Sequence, residues 1–497
     1  MKGKILGIFG LLVTLCVFMT FMTSDPWYSI GTSKFLLAGN IENLLSRTAL
    51  YGILGVGVAF VIITSGIDLS IGSMVCLSGV LLAMFLHVDY RANVSSPVIQ
   101  VSAATNQIIL KNAIADIHPG DRIRYFGVRL APAGLLTVSS VDGATITVEE
   151  KLTRDNTLGE VARAVAVTEI KRSTDEGSEH GARIVIAGVH GIGPRDRLTL
   201  VHPVSGLKTE AITKVESSSG ATTVYVRNDP GERLTTEWFA IPLNRHQRMS
   251  VPMALLSVLL IAATLGLVHG LLVTRARLQP FVVTLCGLLI YRGLSRWLTS
   301  DNPAGFGEYA DGLCQVGSGR LNLYTSAAGD SFGIPYPFFF LATIGTIAAI
   351  FLNRTIWGRY MLALGRNEEA ARFSGINTGN VTLMAYVACT TLAAVGGMLF
   401  ALDSLSVSPS SFGNFFELYA IAAAVLGGCS LRGGEGSIVG VVIGTAVMQI
   451  LNNLIMLLKI SGTLEYAIIG SVILAGVLAD EVVKRIAARR RLRQRVQ

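Results

Sequence analysis

The sequence predicts an all-α polytopic membrane protein of about ten transmembrane helices, interrupted by one β-rich domain. Three observations predict it. Of 497 residues, 51% are hydrophobic and only 15% charged, less charge than a soluble chain of this size carries. The apolar residues gather in runs near the roughly 20 residues that cross a bilayer. Between residues 88 and 250 these runs stop, and short stretches of alternating apolar and polar residues replace them.

The runs are 5–22, 48–64, 71–87, 251–273, 280–298, 336–352, 380–402, 417–430, 438–458 and 464–479. Backbone groups in lipid must bond internally, so each run is predicted as a helix. The shortest, 417–430, is the weakest as a full span. Lys2 and Lys4 ahead of 5–22 resemble the start of a signal peptide, but Thr23-Ser24-Asp25-Pro26 is no cleavage site, which favours a retained helix. Cys16, Cys76, Cys286, Cys314, Cys389 and Cys429 contain no CxxC pair, and five lie in apolar runs, so they are read as packing residues.

Charge sets the topology, because short loops rich in Lys and Arg stay in the cytoplasm. With the N-terminus inside, Arg275, Arg277, Arg354, Arg359, Arg366, Arg372 and Arg432 fall inside, and both termini are cytoplasmic. The loop at 299–335, with Asp301, Glu308, Asp311, Asp330 and a single Arg320, falls outside. Lys34, Arg47 and Lys459 run against the rule. Much of the net charge of +8 lies in a basic tail, 483–497, with Lys484, Arg485, Arg489, Arg490, Arg491, Arg493 and Arg495. That tail suits anionic lipid; no aromatic set accompanies it that would read as nucleic-acid binding.

The same count places the 88–250 insert on the outer face. Pro119-Gly120-Asp121-Arg122-Ile123 is similar to Pro194-Arg195-Asp196-Arg197-Leu198, and Gly143-Ala144-Thr145 to Gly220-Ala221-Thr222. Upstream, Ile109 is matched with Ile184 and Leu110 with Val185. This predicts two repeated β modules, 98–150 and 181–242, joined by a polar linker near 171–180. They could dock an external partner, shield a pore mouth or form a structural cap.

Residues 365–375 form a short polar helix between two apolar runs. Asn367 can cap it, Glu368 and Glu369 sit where the helix dipole favours anions, and Arg372 sits where it favours a cation. Gly375 suits the left-handed residue that ends a helix. Such a self-contained helix on a membrane face is built to touch another protein. In Gly66-Ile67-Asp68-Leu69-Ser70-Ile71-Gly72-Ser73, Asp68 or Ser70 can cap the next helix; an ionisable Asp beside a span can also serve substrate or ions. Residues 427–437 carry glycines at 427, 428, 433, 434 and 436 but lack GxxxxGK[ST], so they read as a tight turn. Gln449, Asn452 and Asn453 either hold helices together or bond a hydroxyl-rich solute. Arg292 and Arg296 snorkel to the interface or line a path. No HExxH or other catalytic set emerges, and no metal site is indicated.

Taken in order, Ser65–Ser73, Gln279-Pro280-Phe281-Val282-Val283-Thr284-Leu285 with Arg292-Gly293-Leu294, Gly365–Gly375 and Gly427–Gly440 resemble the permease subunits of monosaccharide ABC importers, in the ribose/xylose/galactose and autoinducer-2 branch. The resemblance covers 1–87 and 251–482. It implies a non-enzymatic transport subunit in the bacterial inner membrane. It implies no cofactor in this chain, with ATP on separate ABC ATPase subunits, a periplasmic sugar-binding protein that delivers solute, and a second permease copy. Residues 367–374 correspond to the helix that docks on the ATPase, with Gly365, Asn367, Glu368, Ala370, Ala371, Arg372 and Gly375 as its coupling residues. Gly66, Asp68, Ser70, Gly72 and Ser73 form the signature turn, and Phe281, Thr284, Arg292, Gln449 and Asn453 the candidate translocation path. Two departures stand out: Ser65 occupies the first place of the usual Gly-Gly, and the insert is foreign to the family. An ion-coupled secondary transporter, with Asp68 or Glu417 as coupling acid, and a membrane receptor acting through the insert are the alternative expectations.

Overall fold

The computed structural model describes residues 2–25, 30–114, 117–127, 134–172, 181–188, 191–202, 206–218, 220–228, 238–309, 312–325 and 331–461, with positions 464, 467, 468, 470, 471 and 474. The rest of the predicted span 464–479, the basic tail and linker residues 173–180 lie outside the described residues. Two compact units divide the chain, Met1–His87 with Met249–Gln497, and Val88–Arg248.

The first unit is helical. It contains α1 (Lys2–Met22), α2 (Ala38–Ile63), α3 (Ile71–Phe85), α4 (Val251–Thr274), α5 (Pro280–Thr299), α6 (Gln315–Ser318), α7 (Tyr336–Arg354), α8 (Ile356–Arg366), α9 (Glu368–Phe373), α10 (Thr378–Ser404), α11 (Phe416–Leu426) and α12 (Ile438–Leu457). Among the described residues, seven of these are long and apolar enough to cross a membrane: α1, α2, α4, α5, α7, α10 and α12. At the centre of the bundle, α2 packs on α7, α10, α11 and α12, whereas α1 touches mainly α12. The sequence begins the second span at 48, but α2 starts ten residues earlier. Asn40, Glu42 and Arg47 break the apolar run there, and each has a partner. Asn40 and Asn453 exchange amide bonds of 2.7 and 3.3 Å. Glu42 accepts from Arg320 and from Gly333 N (2.6 Å), and Arg47 lies 3.6 Å from Asp403.

Two apolar helices are short. α3 has 15 residues and α11 has 11. At 1.5 Å per residue they extend about 22 and 16 Å, less than the roughly 30 Å hydrocarbon layer. Each follows an irregular segment, 64–70 and 408–415. Their first turns meet: a β-carbon at Gly72 would overlap Glu417 Oε2 and the Gly413 carbonyl. Irregular backbone at this depth survives only inside protein. Residues 66, 68 and 70–83 are buried accordingly.

The second unit is one twelve-stranded sheet: β1 (Val88–Ala92), β2 (Ser95–Ser102), β3 (Gln107–Leu110), β4 (Arg122–Gly127), β5 (Leu136–Asp142), β6 (Thr145–Val148), β7 (Gly159–Arg172), β8 (Ala182–Ala187), β9 (Arg197–His202), β10 (Gly206–Ser218), β11 (Ala221–Val226) and β12 (Phe239–Gln247). The pairings close it into two rings. One runs β7–β2–β3–β6–β5–β4 and back to β7; the other runs β7–β8–β11–β10–β9–β12 and back to β7. The long strand β7 serves both, with residues 159–164 on β4 and residues 167–172 on β8. If β3 corresponds to β8, β4 to β9, β5 to β10 and β6 to β11, the strand order is the same in both rings. Each ring has its own core, built on Val101, Ile108, Ile123 and Val138 in one and on Ile184, Ile186, Leu198 and Ile212 in the other.

The turn before β4 recurs before β9. His118 N donates to Asp121 Oδ2 (2.9 Å) as Gly193 N does to Asp196 Oδ2 (2.8 Å). Gly120 N donates to Val138 O (2.8 Å) as Arg195 N does to Ile212 O (2.9 Å). Gly120 has φ +93° and Arg195 has φ +78°, so the second copy puts an arginine in a left-handed position. Two details differ from the sequence reading. The first ring is completed by β7, beyond residue 150, and Lys171 and Arg172 of the expected linker belong to that strand. The upstream match also slips by one residue. Ile108 and Leu110 are buried in the first ring and Ile184 and Ile186 in the second, while Ile109 is not. In a strand, a one-residue slip exchanges the faces.

Two pairs of short strands complete the helical unit: β13 (Ala304–Gly305) with β16 (Ser406–Val407), and β14 (Arg320–Thr325) with β15 (Ser331–Pro335).

Candidate functional site: a glycine clasp beside a polar helix

α8 and α9 are separate helices because Asn367 (φ −161°, ψ 108°) leaves the helical region between them. Its side chain accepts the Ala370 N–H (3.0 Å), which caps α9. Glu368 and Glu369 occupy the first turn and Arg372 the last, and Gly375 follows at φ +80°. Asn367, Glu368, Glu369, Ala370 and Arg372 are exposed, whereas Ala371 faces the bundle at 5% exposure. The large apolar group that α9 offers outward is Phe373, 85% exposed. Beside it a groove of 470 Å³ is lined by Arg359, Arg366, Asn367, Ala370 and Ser374 among others.

Gly365, just ahead of α9, is clamped from two sides. A β-carbon there would overlap Ile63 O, at the end of α2, and Gly434 N. Gly434 N donates to Ile63 O at 2.9 Å. The Ser65 hydroxyl lies between Gly365 O (3.1 Å) and Arg432 O (3.0 Å). Ser65 has φ +63°, so its hydroxyl contacts offset the strain of a left-handed serine. The 427–437 turn is thus a clasp that ties the ends of α2 and α8 together, next to α9.

From the clasp the chain enters the signature segment. Asp68 and Ser70 are fully buried. Asp68 Oδ1 accepts the Ser70 N–H (2.8 Å) and the Ser70 hydroxyl (2.7 Å). Ser70 occupies the N-cap position of α3, but its side chain makes no cap bond there; its hydroxyl goes to Asp68 instead. Ser73 Oγ donates to Ser70 O at 2.8 Å. Gly66 faces the Tyr386 hydroxyl, and Gly72 makes the close approach to α11 described above.

The candidate path residues are dispersed. Phe281 is half exposed at 51%. Thr284 is buried, donating to Pro280 O (2.9 Å) with Ile67 O at 3.4 Å. Arg292 donates to Pro409 O (3.1 Å) and Phe412 O (2.6 Å), which fixes the segment ahead of α11. Arg296 pairs with Asp301 at the surface. Asn453 is bound to Asn40, and Gln449 Nε2 is buried without a partner among the described residues. Sequence reasoning missed Phe373, the double contact of Ser65, and the bond between Tyr291 Oη and His269 Nε2 (2.9 Å). A serine standing where the family carries glycine was the one available signal for the second.

A bundle of apolar helices, seven of them long enough to cross a membrane among the described residues, with a short capped helix exposed beside it, is the architecture of a membrane protein. The profile of the family described as "Branched-chain amino acid transport system / permease component" matches residues 223–477, about half of the chain, and the chain belongs to that family. It is 37% identical over 229 residues to the ribose import permease protein RbsC of Escherichia coli K12, covering 46% of this chain and 68% of the relative. It is 37% identical over 213 residues to RbsC of Bacillus subtilis 168, covering 43% and 62%. It is 31% identical over 242 residues to the galactose/methyl galactoside import permease protein MglC of Escherichia coli K12, covering 47% and 68%. No solved structure matches it.

Proposed function

We propose that this chain is the membrane-spanning permease of an ATP-driven importer of a monosaccharide or similar polyol, working by alternating access in the bacterial inner membrane. The sugar class rests on the relatives, two of which are named for ribose import and one for galactose import. The observation that carries the mechanism is the clasp, because it joins the exposed helix α9 to the buried Asp68 segment within a few residues. α9 faces the cytoplasm in this reading and seats in a groove of an ABC ATPase. Closure of the ATPase dimer displaces α9. Gly365, Ser65 and Gly434 pass that displacement to the ends of α2 and α3, with no slack because backbone lies directly on backbone. Arg292 holds the facing half-helix α11 still. A periplasmic binding protein delivers solute on the side of the insert, and a second permease copy completes the path. The bundle is bistable, and the ATPase biases it.

The test is Glu368→Arg. The residue is exposed, so the protein folds, but the contact is reversed in sign. ATPase co-purification and ATP-dependent sugar uptake are both expected to fall to background. Normal values for both would remove the coupling role.

A further inference from the structure

We propose that the β-rich unit carries a binding site of its own, a cleft between its two rings that takes a neutral polyhydroxylated ligand, a saccharide. The cleft encloses 790 Å³, within the roughly 300–1,000 Å³ of small-molecule sites. It is lined by Asn93, His118, Asp121, Arg122, Arg163 and Phe239 among others, and Ala166 of β7 also faces it. The cleft exists because the two copies of the Pro-x-Asp-Arg turn are closed differently. Arg122 pairs with Ala164 as Arg197 pairs with Leu243, so Ala166 stands where Arg245 stands in the second ring. There Arg245 N donates to Asp196 Oδ1 (2.7 Å), and the Arg197 guanidinium lies over the Tyr90 ring at 4.3 Å. In the first ring, β7 has already turned toward β12 at the equivalent place, with Ala166 opposite Phe239. Ala166 is exposed. Asp121 Oδ2 takes the His118 N–H and the Arg163 guanidinium, while Oδ1 has no hydrogen bond among the described residues.

The lining is polar yet electrically balanced. Arg163 Nη2 lies 3.3 Å from Asp121 Oδ2, and Arg122 Nη1 lies 3.4 Å from Glu150 Oε1. A free anion or cation would have to displace one of these partners. A pair of neighbouring hydroxyls uses them as they stand: one O–H donates to Asp121 Oδ1, and the next oxygen accepts from the Arg163 guanidinium. The half-buried Phe239 ring offers an apolar surface to the C–H face of a sugar. Charged groups already neutralised, with donor and acceptor side by side and one aromatic face, suit a polyol better than an ion. The site needs nothing of the transport reading, since every residue in it belongs to the insert.

Isothermal titration of the purified full-length chain in micelles tests this without any uptake assay. The probes are D-ribose, D-galactose and maltotriose, with inorganic phosphate and putrescine as charged controls. At least one sugar is expected to bind, and neither ion. Binding of a monosaccharide assigns the cleft to free solute, and binding of maltotriose alone assigns it to a glycan; both support the site. Ala166→Trp fills the cleft without touching the ion pairs and should abolish binding. Arg163→Met should weaken it by about tenfold or more, as loss of a charge-assisted hydrogen bond does. Sugar binding that survives both variants lies elsewhere in the chain and overturns the proposal, as does binding of an ion in place of a sugar, or of no sugar at all. Should the variants fail to fold, modification of the wild-type chain by diethyl pyrocarbonate decides. Bound sugar should protect His118, which is exposed at the cleft, and leave His246, exposed on β12 outside this lining, unprotected; equal modification of His118 with and without sugar overturns the site.

Discussion

Gly365→Ala tests the clasp by filling it. The new β-carbon would meet Ile63 O and Gly434 N, with Gly434 Cα at 3.0 Å. All three are backbone atoms and none can rotate away. Overpacking of this kind costs about 1–3 kcal/mol. Forcing the strands of the clasp apart also breaks the 2.9 Å bond from Gly434 N to Ile63 O, worth about 1 kcal/mol more. The expected destabilisation is therefore about 3 kcal/mol. Gly375→Ala is the control: it sits at φ +80° with nothing within 4 Å of the added carbon, so it meets only left-handed strain of about 1 kcal/mol. Unfolding in mixed micelles measures both variants, and uptake measures coupling. Gly365→Ala should be the less stable by about 2 kcal/mol and should lose uptake. Equal stability of the two would refute the reasoning, because it would mean that the clasp has slack.

Three further outcomes follow from the geometry. Phe373→Ala, at an 85% exposed position, should leave the unfolding curve unchanged and weaken ATPase binding by about 2 kcal/mol, roughly thirtyfold, as loss of an aromatic anchor does; a titration of purified ATPase onto the permease reads it. Arg195→Gly should stabilise the second β ring by about 1 kcal/mol, because glycine accepts the φ of +78° without strain; Gly120→Ala should do the reverse to the first ring, both read by thermal unfolding. Glu42→Gln should cost about 2 kcal/mol by leaving Arg320 without its counter-charge and weakening the bond from Gly333 N, and proteolysis within 320–335 should quicken.

Much of the helical unit was legible because hydropathy reports length directly. What stayed hidden had polar residues satisfied by distant partners. The start of α2 is the plainest case: Asn40 and Glu42 look like loop residues until Asn453, Arg320 and Gly333 are placed beside them. Asn453 could equally have faced a solute, and only the packing of α2 on α12 showed where it points. The caps and charges of α9 were readable from residue order, since capping is local. Which of Ala370 and Ala371 faces outward was not, because a six-residue helix has too few turns to show a stripe. In the insert, the repeated turn Pro-x-Asp-Arg was visible because its bonds are local. The sharing of β7 between two rings was not, since strand partners far apart in sequence leave no local trace. Ser65 was seen only as a departure from the family's glycine; its hydroxyl contacts explain how a serine holds that backbone.

The most direct measurement is sugar uptake into proteoliposomes that contain this chain alone, or with its ATPase and ATP inside and the loaded binding protein outside. Uptake that requires the ATPase and ATP, and is indifferent to imposed Na⁺ or H⁺ gradients, is the predicted result. Gradient-driven uptake by the chain alone would contradict the account.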